Sequence, residues 1–447
     1  MKKPELAAQV VQPYSYRKGI IWILVFILLS IVPMGIALLG DLPNTRGFWI
    51  EFGVALGFIG LGIMGVQFIF TGRLARVAPT FGPDNIFHFH KTMGIVGFIF
   101  ILAHPVILIL SNSAFIHYFN PAENIPRALA LSFVTVAITL LIIMSLWRVS
   151  FGLSCENWRL LHGILALLVV FIGIVHSVQV SHYLDPIWKK IGLSLALAGC
   201  CYFIIHTRLV RPWLNMKKPY EIIQIKPERH ECYTIVLKPK KGHKMQFISG
   251  QFVWLTINDT PFTLQQHPFS FSSSPDSDFL SFTAKESGDF TKTWKDIKSG
   301  TTAFLEGPMG SFTLMPTGNL FMVMGGIGVT PGMSMLRTLK IRNDKRAVTL
   351  IYGSNEYENI IFREELESLE KELNLKVVHL LMGPPDDWQG ESGILDKSLL
   401  KKYLPENVDT YNYYICGPNP LMDITEIYLR ELGVDWRLIY SERFKIV

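Results

Sequence analysis

The order of apolar and polar positions divides the chain in two. Residues 1–215 are mostly long apolar runs joined by short polar segments, whereas 216–447 alternate short apolar stretches with charged and turn-forming residues. The first half predicts six membrane-spanning helices, at roughly 19–39, 48–70, 88–110, 128–147, 160–180 and 190–209. Each is close to the ~20 residues needed to cross a hydrocarbon core of about 30 Å. The first run follows a basic N-terminus without a small-residue cleavage site, so a retained span is expected rather than a signal peptide.

The second half reads differently. EIIQIKP, CYTIVLKP, QFVWLTI, FLSFTAK and TAFLEGP are short strand-like segments punctuated by Gly, Pro and Lys, and predict a small antiparallel β-barrel up to residue 316. From 317 onward strand and helix patterns alternate, which predicts a parallel sheet of the nucleotide-binding kind. The expected fold class is therefore a multidomain membrane protein. An α-helical six-span transmembrane bundle (1–215) precedes an antiparallel β-barrel domain (216–316) and an α/β parallel-sheet nucleotide-binding domain (317–447).

Charge sets an expected topology. With the N-terminus cytoplasmic, that side carries Lys2, Lys3, Arg17, Lys18, Arg73, Arg76, Lys91, Arg148, Arg159, Arg208, Arg211, Lys217 and Lys218, and the far side only Arg46, Arg127, Lys189 and Lys190. The positive-inside bias then places both termini in the cytoplasm of a multi-pass protein of the cell (inner) membrane. Hydrophobic residues make up 49% of the chain and charged residues 17%, too apolar a balance for an ordinary soluble enzyme. The net charge of +6 sits largely beside the spans and gives no argument for nucleic acid. Five cysteines are scattered without a C-x-x-C spacing, and no disulfide is expected on the cytoplasmic side.

Two apolar runs carry paired histidines. His90 and His104 bracket HKTMGIVGFIFILAH, and His162 and His176 bracket HGILALLVVFIGIVH, fourteen residues apart in each case. Fourteen residues of helix span about 21 Å, and the second ring falls about 40° short of four full turns, so both rings point off one face. The third and fifth spans run in the same direction, so His90 pairs with His162 and His104 with His176. Histidines inside a membrane are costly and mark function. The natural occupants are two haems, each held by one histidine from each helix. No C-x-x-C-H is present, so they would be b-type. His88 lies about 160° from His104 around the helix. His206 has no matching partner and reads as structural, and His117 and His182 fall in or near outer loops and read as solvated. Arg73, Arg76, Arg148 and Arg159 are candidate propionate partners, although positive-inside topology alone would also explain them.

Chemistry in the second half clusters at turns. Gly325-Gly326-Ile327-Gly328-Val329-Thr330-Pro331 follows a buried strand and opens a helix, with Thr330 suited to the N-cap and Pro331 to the first helical position. Such a helix start offers free N–H groups to a pyrophosphate. His267-Pro268-Phe269-Ser270 sits at the barrel, where the serine hydroxyl could bond a flavin ring nitrogen. Gly288-Asp289-Phe290-Thr291 starts a short helix that could hold the flavin's pyrophosphate, and in isolation both segments also read as ordinary turns. Cys416-Gly417-Pro418 ends a strand at the carboxyl edge of the parallel sheet, where ligands of such folds bind. Phe444 could be core or a ring stacked on flavin.

Taken together, these residues resemble the ferric reductase and NADPH oxidase superfamily, over nearly the whole chain. The combination that carries the resemblance is the two histidine pairs, HPFS, GDFT, GGIGVTP, CGP and a C-terminal aromatic. The resemblance implies a six-span dihaem domain fused to a ferredoxin-reductase-like module. His90/His162 and His104/His176 would ligate the two haems. His267, Ser270 and Thr291 would bind FAD, with Ser270 near the reactive ring nitrogen. Gly326, Gly328 and Thr330 would hold NADPH or NADH, Cys416 would lie beside the nicotinamide, and Phe444 would cover the flavin until the nicotinamide displaces it. Electrons would then pass from NAD(P)H through FAD and both haems to a ferric chelate or oxygen on the far side.

Two departures bear on that reading. Relatives that prefer NADPH carry a Ser-Arg pair after the third strand of the nucleotide domain, where this chain has Met382 and Gly383, so the choice between NADH and NADPH stays open, with Arg363 a substitute cation. Superoxide-forming relatives often carry a further histidine where this chain has Leu108. Arg46 remains as an acceptor-side charge. A sensor that keeps the flavin module and a haem-free membrane anchor are the readings of another class.

Overall fold

The computed structural model describes residues 16–72, 78–242 and 244–443. Among the described residues, six helices are long and apolar enough to cross a membrane. They are α1 (Tyr16–Leu38), α2 (Phe48–Thr71), α3 (Ala78–Ser111), α4 (Ile125–Leu146), α5 (Cys155–Val180) and α6 (Ile187–Ile205). A π turn at His206–Val210 continues α6 into α7 (Arg211–Asn215). Apolar composition specifies the helices and local chemistry ends them. Asn124 caps α4 by accepting from the Arg127 amide at 3.0 Å, and Ser154 caps α5 through the Asn157 amide at 3.3 Å. Within the helices, Thr135, Thr139 and Ser145 hide their hydroxyls by donating one turn back, to Leu131, Thr135 and Leu141. The third helix starts ten residues earlier than its apolar run suggests, at Ala78 rather than 88. Hydropathy marks the part that faces lipid, whereas backbone bonding continues through the polar turns before it.

α2 is central to the bundle because its glycines admit neighbours at close range. A Cβ on Gly62 would stand 2.0 Å from the Ser30 carbonyl of α1, one on Gly60 2.9 Å from Ile101 of α3, and one on Gly65 2.8 Å from Leu197 of α6. Lys189, 1% exposed, donates to the Ala37 carbonyl at 3.0 Å. It places a cation at the C-terminal end of α1, where the helix dipole favours one.

Residues after 215 form two six-stranded sheets. The first contains β1 (Tyr220–Pro227), β2 (Cys232–Pro239), β3 (Phe252–Ile257), β4 (His267–Ser270), β5 (Leu280–Lys285) and β6 (Thr302–Met309), with α8 (Asp289–Lys292) between the last two. Its order is β4-β3-β6-β1-β2-β5, antiparallel throughout. A bridge between Phe271 and Phe282 joins the two ends, so the sheet curls into a barrel. Phe247 stacks on Phe271 at 3.7 Å and Trp294 is fully buried in its core.

The second sheet is parallel throughout, in the order β10-β9-β8-β7-β11-β12. In chain order its elements are β7 (Asn319–Gly325), α9 (Val329–Ile341), β8 (Val348–Ser354), α10 (Arg363–Glu372), β9 (Leu375–Leu381) and β10 (Glu391–Ser392). They continue with α11 (Lys397–Tyr403), β11 (Tyr411–Cys416), α12 (Asn419–Glu431) and β12 (Ile439–Ser441). Helix α9 also latches onto the barrel. Ser334 donates to the Ser273 carbonyl at 2.7 Å, and the Ser249 and Thr338 hydroxyls are 2.6 Å apart, all three side chains buried. Arg337 donates to the Ser272 carbonyl at 2.6 Å and grips Glu365 of α10 through two nitrogens, at 2.7 and 2.6 Å. Burial raises the Glu365 pKa, but the Arg337 guanidinium more than offsets it and holds the carboxyl below its ordinary value. Arg337→Ala should therefore lower the unfolding free energy of the soluble half by about 2–3 kcal/mol, read as a lower thermal midpoint of the purified full chain.

Candidate functional site

Four imidazoles meet as two pairs inside the bundle. The His90 and His162 ring centroids are 6.0 Å apart, and those of His104 and His176 are 6.4 Å apart. Two imidazoles bound through nitrogen to opposite sides of one metal, with bonds of about 2.0 Å, hold their centroids about 6.3 Å apart. The pairs therefore already stand at the separation of bis-histidine ligation, and the residues fit a haem iron.

The hydrogen bonds decide which nitrogen is available. His104 Nδ1 lies 2.9 Å from the Gly53 carbonyl, which can only accept, so Nδ1 carries the proton and Nε2 is bare. His90 Nδ1 lies 2.8 Å from Gln67 Oε1. His162 Nδ1 lies 3.2 Å from the Ser145 oxygen, whose proton already goes to the Leu141 carbonyl at 2.6 Å. Three of the four rings are thus held in the tautomer that leaves Nε2 free, the usual outer-shell arrangement for a ligating histidine. Gly57 makes the room, since a Cβ there would sit 2.9 Å from His104 Nδ1. Gln67, Ser145, Gly53 and Gly57 were not legible as site residues. One signal was present for Gln67, an uncharged amide within the apolar run of the second span.

A cavity with about 1320 Å³ of space, counting its solvent-open part, adjoins the second pair and is lined among others by His104, Leu108, Tyr118, His176, His182 and Tyr183. His182 is not solvated as expected. It is half-buried and lines this cavity, its ring 4.9 Å from that of Tyr183. Burial, with Arg46 next, lowers its pKa. Tyr183 donates to Glu51, which also accepts from the Arg46 amide at 2.9 Å. Burial and that carboxylate push the Tyr183 hydroxyl up to about 12. His117 is exposed, with its Nδ1 2.5 Å from Glu123 Oε1. His88 is exposed, and His206 stacks near Tyr202 at 5.7 Å. Arg148 lies 5.8 Å over the Trp158 ring. Arg73 and Arg76 lie outside the described residues.

In the soluble half, HPFS is strand β4 rather than a turn, paired with β3 so that Ser270 faces Phe252. GDFT starts α8, where Thr291 Oγ1 accepts from the Ser287 and Gly288 amides at 3.0 and 3.2 Å. The two motifs meet, with His267 and Phe290 rings 4.5 Å apart. Pro268 and Phe269 complete the strand, and Phe269 lies 4.9 Å from Trp294.

The GGIG and CGP turns also converge, at the carboxyl ends of the neighbouring strands β7 and β11. A Cβ on Gly328 would lie 2.6 Å from the Cys416 carbonyl, and one on Gly325 2.9 Å from Pro418. Gly417 approaches Gly325 N as closely, at 3.0 Å from its own built Cβ. Gly326 has φ +52, a left-handed position with open space above it. Thr330 is not the N-cap. Gly328 holds that position, and Thr330 donates back to the Ile327 carbonyl at 2.8 Å, because a 3₁₀ turn at Gly326–Gly328 starts the helix early. Pro331 consequently sits inside the first turn. Cys416 is 1% exposed, within the core of the sheet. Phe444 lies outside the described residues. A residue absent from the motif reading is Glu442, 3% exposed. Its carboxylate lies 2.9 Å from where a Gly310 Cβ would be, beside Phe252, the strand partner of Ser270.

Comparison with known proteins places a module on each part of this geometry. The ferric reductase like transmembrane component matches residues 56–173, an FAD-binding domain 215–323, and an oxidoreductase NAD-binding domain 322–426. The chain is a ferric-reductase/NADPH-oxidase-like fusion. The fusion is 28% identical over 247 residues to NADH-cytochrome b5 reductase 1 of Debaryomyces hansenii, covering 53% of this chain and 87% of that protein. It is 30% identical over 173 residues to the plasma membrane-associated coenzyme Q6 reductase of Saccharomyces cerevisiae, spanning 37% of this chain and 55% of that protein. Among solved structures, the FAD/NAD-binding domain of nitric oxide dioxygenase from Vibrio cholerae aligns with a TM-score of 0.46 and 20% identity, over 51% of this chain and 98% of that one. The fusion is an NAD(P)H oxidoreductase and a multi-pass membrane protein with FAD- and NAD-binding domains. Gly328→Ala should raise the KM for the nicotinamide nucleotide about tenfold or more, since its methyl group meets Cys416 backbone that cannot yield. Steady-state oxidation rates at varied nucleotide concentration would check it.

Proposed function

We propose that the fusion carries electrons from NAD(P)H through FAD and two b-type haems to an acceptor across the membrane, and that this acceptor is a ferric chelate. The observation that carries the reading is the separation of the two histidine pairs, 6.0 and 6.4 Å, with bare Nε2 atoms on His90, His104 and His162. When bound, the haems supply one-electron transfer. The residues do the rest. His90/His162 and His104/His176 are the metal ligands. His267, Pro268, Phe269, Ser270, Gly288 and Thr291 hold FAD, with Ser270 toward the reactive ring edge. Gly325, Gly326, Gly328, Thr330 and Pro331 cradle the nucleotide pyrophosphate, and Cys416, Gly417 and Pro418 bound the nicotinamide. The three functional domains are taken as 1–215, 216–316 and 317–447. Positive-inside loop charge supports cytoplasmic termini in the cell membrane. Leu108, 8% exposed in the wall of the second-pair cavity, puts an apolar side chain at the position where superoxide-forming relatives carry a histidine, which favours iron over oxygen.

NADH is the preferred donor in this reading. With the pyrophosphate at the β7–α9 turn and the nicotinamide toward β11, the adenosine lies over the ends of β8 and β9 on the other side. Those ends are tied together, Met382 N to the Ser354 carbonyl at 3.1 Å and Gly383 N to the Asn355 carbonyl at 2.7 Å. The exposed charges in those two loops are Glu356, Glu358, Asp386 and Asp387. Arg363 is engaged elsewhere, donating to the Tyr357 carbonyl at 3.2 Å and stacking on that ring at 4.1 Å. A 2′-phosphate would meet carboxylates, whereas ribose hydroxyls can donate to them. The kcat/KM for NADH should exceed that for NADPH at least about tenfold, and Glu356→Arg should narrow the ratio.

The deciding experiment uses detergent-purified full chain with FAD. Anaerobic NADH oxidation should reduce a ferric chelate efficiently, and in air superoxide should be a minor product. His104→Leu should lose about half the haem, keep FAD and lose ferric reduction. Superoxide matching nucleotide consumption would turn the reading to an oxidase, and full haem retention in that variant would remove the ligand assignment.

A further inference from the structure

We infer that Gln67 is a positioning residue that sets the reduction potential of the haem held by His90 and His162. The inference rests on the dihaem reading above. Gln67 lies in α2, 5% exposed, and grips His90 of α3 at two points. Its Nε2 donates to the His90 carbonyl at 3.3 Å, and its Oε1 lies 2.8 Å from His90 Nδ1. The two contacts fix the amide's orientation, because a carbonyl can only accept and so must face the NH₂ end. The amide oxygen is then left facing the ring, and Nδ1 must be the donor. One side chain thereby sets the ring's tautomer, its rotation and the electron density it can pass to a metal at Nε2.

This clamp differs from those on the other rings. His104 donates to the main-chain carbonyl of Gly53, 2.9 Å away, which no substitution alters. His162 leans on Ser145 at 3.2 Å, a longer contact to a hydroxyl. Gln67 is a side-chain acceptor at the short distance of 2.8 Å and adds no buried charge. A stronger acceptor at Nδ1 gives the ring imidazolate character, which favours the oxidised iron and lowers the potential, and loss of the acceptor raises it. An amide holds the haem between those limits.

The test is a spectroelectrochemical titration of the purified full chain, run without nucleotide at about pH 10, above the range of about 8–9 to which burial raises a carboxyl. The wild type, Gln67→Met and Gln67→Glu are compared, with the His104/His176 haem as internal reference. At a fixed applied potential, the reduced-to-oxidised ratio of one haem should rise about tenfold in Gln67→Met and fall about tenfold in Gln67→Glu, each about 59 mV for a one-electron couple. The reference haem should not move. Shifts of the same sign in both variants, or none in either, would mean a packing role only and overturn the inference. If Gln67→Met does not retain the haem, Gln67→Glu decides alone, and an unchanged or raised potential overturns it. Two haems in the wild type with unresponsive potentials would sink this inference alone, whereas a wild type without haem would sink the dihaem reading itself.

Discussion

An imidazole placed inside a bilayer-spanning bundle has two nitrogens to satisfy and no water to do it. That constraint organises the N-terminal half. Each ring needs one nitrogen committed to a protein acceptor if the other is to be offered to a metal. The acceptors come from helices other than the one that carries the ring, Gly53 and Gln67 from α2 and Ser145 from α4. The helices come close because α2 is glycine-rich along its edge with α3, and α5 supplies a glycine where it meets α2. A Cβ on Gly57 would strike His104, and one on Gly173 of α5 would come within 2.7 Å of Leu61. Close helix approach, acceptor placement and histidine pairing are therefore one packing solution.

The soluble half solves a different problem, that of presenting main-chain N–H groups and glycine Cα faces to a large anionic ligand. A parallel sheet does so at its carboxyl edge, where the strands hand over to helices. The turns after the adjacent strands β7 and β11 pack so closely that a Cβ on Gly325, Gly328 or Gly417 would lie within 3.0 Å of its neighbours, and in the function proposed this surface of main chain meets the nucleotide. Helix α9 then has two duties. Its N-terminal turn faces that surface, while Ser334, Arg337 and Thr338 farther along bind it to the barrel. In the function proposed, flavin and nicotinamide must meet face to face, and a helix shared by both sheets keeps their registers in step.

Much of this was legible in the chain. The six spans were marked by unbroken apolar length, and the histidine pairing by a spacing close to a whole number of turns. The strand–helix alternation after residue 317 was marked by its change of period, and HPFS, GDFT, GGIG and CGP by turn-forming residues at set positions. Where expectation and structure part, the cause is local hydrogen bonding that composition does not report. The β7–α9 turn tightens into a 3₁₀ start and takes the N-cap from Thr330. HPFS is drawn into a strand because β3 offers it a free edge. His182 lines a cavity although its loop reads in sequence like any outer loop.

Periodicity and motif spacing, which are properties of neighbouring residues, thus determined by themselves the class of each half, the pairing of the four histidines and the places of the glycine turns. Only the tertiary structure decided which nitrogen of His90, His104 and His162 is free, that Gln67 clamps His90, that Glu442 reaches the barrel beside Phe252, and that Arg363 is committed to Tyr357. Each of these joins residues from different elements, between 6 and 190 positions apart. A pattern read along one helix or strand contains no term for a partner brought from another.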